Sequence, residues 1–125
     1  MAVSRVYPHT ATLWCRAGED GGRKALWRLR VLDGVRWTEK RARSGEAVQD
    51  EVHLLIPNVF SGYVAAEDLA AGKALGGDQW TLARGDRIIL GAQYGPKPPN
   101  ASLSIEAVRS IMRGVRVDHF EVVAK

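Results

Sequence analysis

The stretch Trp80-Thr81-Leu82-Ala83-Arg84-Gly85-Asp86-Arg87-Ile88-Ile89-Leu90-Gly91 decides the fold class. Trp, Thr and Ile suit a pleated, half-buried surface. Gly85 takes φ > 0 without steric cost and Asp86 can bond nearby backbone, so this pair reads as a turn. The stretch is expected to form a β-hairpin whose second arm ends at Gly91. On that arm Ile88 and Leu90 point one way and Ile89 the other, so both faces are apolar. A strand of that kind lies between two layers, as in a small barrel or sandwich.

The flanking sequence supplies more strands. On the N-terminal side, Ala11 to Arg16 alternates, with Ala11, Leu13 and Cys15 on one face. Gly18 to Gly22 is a run of turn residues. Ala25 to Asp33 is a second strand, Asp33-Gly34 a hairpin turn, and Val35 to Thr38 its returning arm. Lys40 to Gln49 is polar with a central Gly and is expected to be a loop. Asp50 to Ile56 alternates again and stops at Pro57. Ala65 to Ala71 suits one or two helical turns ahead of Gly72.

Beyond the central hairpin, Tyr94 to Asn100 holds three prolines and is an extended loop. Ser102 to Met112 fits either a short helix or a strand. Arg113-Gly114 is a turn, and Val115 to Val123 alternates as the last strand. The reading is a single domain over residues 1–125, mainly β: a small antiparallel barrel or sandwich of seven or eight strands with one or two short helices.

With 125 residues, a chain can bury on the order of two-thirds of its unfolded surface. Hydrophobic residues make up 46%, which excludes a disordered composition. No uncharged apolar run approaches the ~20 residues of a membrane-spanning helix. Residues 1–16 lack the pattern of a signal peptide, and the single Cys15 cannot form an internal disulfide; together these favour a reducing compartment.

The net charge of +4 is modest, but its distribution is uneven. Between Arg23 and Arg43 eight basic residues face only Asp33 and Glu39. If Trp27, Leu29 and Val31 form the buried face, Arg28 and Arg30 project from the opposite one. They would then lie beside Lys24 and, across the Asp33-Gly34 turn, Arg36. Lys24, Arg28, Arg30 and Arg36 are the candidate interaction face. It reads either as a plain solvated surface or as a patch for an anion or DNA.

No catalytic, cofactor or metal site is expected. His9, His53 and His119 lack metal-ligand spacing, and Cys15 has no paired cysteine. Cys15 sits mid-strand, where a small buried role outweighs that of a nucleophile. Ala71-Gly72-Lys73-Ala74 lacks both the first Gly and the Ser or Thr of a phosphate-binding loop. Trp14, Trp27, Trp37 and Trp80 fit core and strand packing, or stacking on bases.

Several motifs occur in a telling order. They are Ala11-Thr12-Leu13-Trp14-x-Arg16, Trp27-x-Leu29-x-Val31-Leu32-x-Gly34-Val35-x-Trp37, Ile56-Pro57, Gly62-Tyr63-Val64, the central hairpin, and His119-Phe120-Glu121-Val122. This series resembles a family of small proteins encoded by tailed bacteriophages and prophages near the head–tail connector genes. The resemblance implies a non-enzymatic virion structural protein of the neck, for head completion or head–tail joining. Such a protein is made in the bacterial host cytoplasm and works as a homo-oligomeric ring among other head, neck and tail proteins. It has no cofactor and no membrane contact, and a DNA channel would give the basic strand a purpose. The alternative is a small OB- or SH3-like nucleic-acid-binding protein using the same Arg28/Arg30 face and exposed Trp side chains.

Overall fold

The computed structural model describes residues 6–19, 25–44, 47–70, 75 and 78–125, with side chains at all of these except 17–19, 25–26, 41–44, 47–50 and 69–70. The chain order is β1 (His9–Glu19), β2 (Ala25–Ser44), β3 (Ala47–Pro57), α1 (Ala66–Ala70), β4 (Arg87–Leu90), β5 (Leu103–Arg113) and β6 (Arg116–Ala124). The strands close into an antiparallel barrel in the order β1-β2-β3-β6-β5-β4. Closure removes the open sheet edges of a sandwich. Period-two alternation supplies the interior: Ala11, Leu13 and Cys15 of β1, Leu54 and Ile56 of β3, and Phe120, Val122 and Ala124 of β6 are all buried.

β2 corrects two expectations. Asp33-Gly34 does not fold the chain into a hairpin; β2 runs through it for 20 residues. Gly34 takes φ 108° at a register shift, where His9 faces Val35 and Thr10 faces Asp33. It is therefore a β-bulge, which bends one strand without ending it. The N-terminal half of β2 pairs with β1 and the remainder with β3, so one bent strand serves both neighbours. The polar run from Lys40 is also not a loop. Its backbone continues the β2–β3 ladder from Lys40↔Glu51 to Ser44↔Ala47. Ladder bonds are made by the backbone, so polar side chains do not prevent them.

The central hairpin has only one strand arm. Arg87–Leu90 is β4, but Trp80 makes a lone parallel bridge to Tyr63 and the following residues join no strand. Trp80 and Leu82 are apolar because they enter the barrel. Tyr63 lies against both Trp80 (5.1 Å between ring centroids) and Phe120 (4.5 Å), closing the interior with rings. Nor is β4 buried on both faces: Ile88 is buried, Ile89 on the opposite face is only half-buried, and Leu90 is 46% exposed.

The described residues contain six strands, fewer than the seven or eight expected, because β2 absorbs two and the Trp80 arm is none. Ser102 to Met112 resolves as strand: β5 covers Leu103–Arg113. α1 lies within the expected helical stretch. Gly18 and Glu19, expected in a loop, end β1. Residues 20–22 of that loop, the stop at Gly72 and Lys73 lie outside the described residues. Among the described residues, no helix is long and apolar enough to cross a membrane.

Candidate functional site

The described residues of the expected basic face, Arg28, Arg30 and Arg36, do not come together. Register places Arg28 opposite Cys15 and Arg30 opposite Leu13. Directly opposed residues share a face, and both β1 partners are buried inside the barrel. Arg28 and Arg30 therefore point inward, not outward. Arg28 Nη2 donates to the Leu75 carbonyl at 3.3 Å. Both arginines line a cleft of about 90 Å³ with Asp78 and Gln79. The Nε of Arg30 is buried with no hydrogen-bond partner among the described residues. Lys24 lies outside the described residues.

The outward face of this strand holds Trp27, Leu29 and Val31, which register with Arg16, Trp14 and Thr12. Alternation showed two faces, and apolar content pointed to the wrong one as interior. Trp14 and Thr12 are nonetheless buried, because the loop after β4 covers them. Trp14 Nε1 donates to the Gly95 carbonyl at 3.0 Å, and Thr12 Oγ1 donates to the Gly91 carbonyl at 2.7 Å.

Arg36 occupies a different place. Beyond the Gly34 bulge it lies on the outside of β2, opposite Leu55. An open groove of about 650 Å³ runs over the outer surface of β2, β3, β6 and β5. Register sets Arg36, Leu55, Glu121 and Arg109 in one row, and Thr38, His53, Val123 and Ala107 in the next. Lys40 extends the basic rim. The floor is apolar at Leu55, Val123 and Ala107. The side chains of Arg36, Lys40 and Arg109 make no ion pair or hydrogen bond among the described residues. His119 Nε2 lies 3.7 Å from a carboxylate oxygen of Glu121. His53 bonds Glu51 at 3.2 Å, and Lys125 reaches the other oxygen of Glu51 at 3.4 Å. These two contacts, the His53 bond first, hold the Glu51 carboxyl below its ordinary range.

Arg109 was not singled out from sequence; His53 was weighed only as a metal ligand, and Glu121 was noted only within the last motif. Their signal is the period-two polar face of β3, β5 and β6, but nothing local says that three separate strands lie side by side.

The turn at Gly85-Asp86 is structural. Gly85 has φ 94°. Asp86 is 2% exposed, and its two oxygens accept the backbone N–H groups of Arg16 at 3.1 Å and Ala83 at 3.0 Å. Burial pushes its carboxyl up to about 6, against those two hydrogen bonds. Cys15 is fully buried and donates to the Thr81 carbonyl at 3.1 Å. Burial pushes its thiol up to about 12, the opposite of an activated nucleophile. His9 serves the fold, since its Nδ1 accepts the Trp37 backbone N–H at 3.0 Å. Among the described residues, no three His, Cys, Asp or Glu side chains are grouped to hold a metal.

The whole described barrel falls within one family. A family model described as a family of unknown function, DUF6751, matches residues 6–125. The chain belongs to DUF6751. Neither a curated protein nor a solved structure matches it. Membership in DUF6751 therefore spans β1 through β6, including every residue of the outer groove.

Proposed function

We propose that this chain is a non-enzymatic structural subunit of a tailed-bacteriophage or prophage particle. It acts in the neck as a head-completion or head–tail joining component, one copy of a homo-oligomeric ring located in the virion. The order of motifs from Ala11 to Val122 motivates the family analogy. The observation that carries the reading is the β2–β3 ribbon. β6 pairs with β3 only over Val52–Pro57, whereas β2 and β3 continue together to Ser44↔Ala47. The far part of this hairpin thus projects past the barrel. A two-stranded ribbon is marginal by itself and gains stability when another surface covers it. Its open edges suit pairing with a neighbouring chain.

Deleting the gene from the phage or prophage that carries it tests the reading. Unjoined heads and tails are the expected result; normal infectious particles would overturn it.

The second reading is a nucleic-acid-binding protein. The inward Arg28 and Arg30 and the buried Trp14 and Trp80 withdraw the face first considered for it. The unpaired rim of Arg36, Lys40 and Arg109 supports it instead. DNA binding by the isolated chain that falls steeply with salt would favour this reading.

A further inference from the structure

We infer that the outer groove receives the α1 segment of a second copy of this chain, in a head-to-tail contact that repeats from copy to copy. The inference rests on the ring reading and names the contact that would build the ring.

Charge complementarity selects the occupant. The groove rim carries Arg36, Lys40 and Arg109, unpaired among the described residues, around an apolar floor. Most described carboxylates elsewhere are engaged: Glu51 with His53, Glu106 with Arg84, Asp118 with His119, Asp33 with Thr10, and Asp86 with backbone. Glu67 and Asp68, in the first turn of α1, are the adjacent exposed pair with no partner among the described residues. Ala65 and Ala66 precede them, small enough to lie on a floor of Leu55, Ala107 and Val123. DNA fits this groove less well. Among the described residues no Trp, Tyr or Phe lines it for stacking, and Glu121 interrupts its basic row.

Groove and α1 are different surfaces of the molecule. α1 follows Tyr63, which packs at the aromatic closure of the barrel, whereas the groove lies on the outside of β2, β3, β6 and β5. A contact between unlike patches leaves one of each free at the ends. It closes into a ring if the rotation permits, and otherwise extends as a filament.

Charge reversal tests the contact. The variants are Arg36→Glu with Arg109→Glu, and Glu67→Lys with Asp68→Lys, each compared with wild type by sedimentation velocity at about 20 mM and about 500 mM salt. All four residues are exposed, so melting temperatures should stay near wild type. Wild type should self-associate more strongly at low salt, and each variant alone should lose at least about tenfold in association. Mixing the two variants in equal amounts should restore association, since each supplies the complement of the other. A wild-type chain that stays monomeric throughout overturns the inference. So does loss in the groove variant alone, or a mixture that remains monomeric. None of these results touches the neck reading, which is read separately from particles lacking the gene.

Discussion

The carboxylate of Asp86 accepts the backbone N–H of Arg16 at 3.1 Å, fastening the turn before β4 to the end of β1. The other oxygen holds Ala83 within the turn. Around the same turn, Gly85 N–H donates to the Ile105 carbonyl, and Ile105 N–H donates to that of Asp86. One short segment thus ties three strands together where β4 is only four residues long.

Replacing Asp86 by Asn aims an amide at one of two N–H donors, and should cost about 1–3 kcal/mol near neutral pH. The substitution also changes pH dependence. A carboxyl raised from 3.8 to about 6 stabilises the fold below its unfolded pKa, and that contribution is lost as pH rises through 6. The advantage of wild type over Asp86→Asn should therefore shrink by on the order of 2–3 kcal/mol between pH 4 and pH 7. Urea unfolding at both pH values checks this; an advantage that grows with pH contradicts it.

Arg30 separates an inward from an outward strand face. Arg30→Glu puts an unpaired carboxylate beside Leu13, and should cost more than about 2 kcal/mol. Arg30→Met keeps the apolar stem and removes a buried Nε with no partner, so it should lie within about 1 kcal/mol of wild type. Equal tolerance of both substitutions in thermal unfolding would return this strand face to solvent.

Gly85→Val should destabilise by more than about 1 kcal/mol, since a β-branched residue is strained at φ 94°. No atom stands within 4 Å of an added Cβ, so the cost comes from the backbone and not from a clash. An unchanged melting temperature would show that the turn relaxes to a negative φ.

Cys15 should resist thiol reagents at pH 8 in the folded chain and react at once in denaturant. Its thiol is buried, bonded to Thr81 and pushed up to about 12. Fast labelling under native conditions would mean that β1 opens readily from the barrel.

Fold class was legible because alternation is local. Ala11 to Arg16, Asp50 to Ile56 and Val115 to Val123 read as strands, and the turns at Gly85 and Arg113-Gly114 were visible from their residue types. Asp33-Gly34 misled because a bulge and a hairpin turn make the same demand, a residue that tolerates positive φ. Which one forms depends on the neighbours of the strand, and these lie elsewhere in the chain. Trp80 misled in the same way: its apolar bulk suits a strand face as well as the plug of a barrel.

By itself, the sequence determined that this chain is a β protein, with a small buried residue expected at Cys15 and a surplus of basic residues in β2. Tertiary structure alone decided where those basic residues act. Period two divides β2 into two faces without saying which is inside. Pairing with Leu13 and Cys15 turns Arg28 and Arg30 inward, and the Gly34 bulge shifts the phase so that Arg36 faces out. There it shares one row with Arg109, far away in sequence, because β3 and β6 bridge their two strands with Leu55 and Glu121. Barrel closure is a property of all six strands together, so no single stretch could announce the groove it creates.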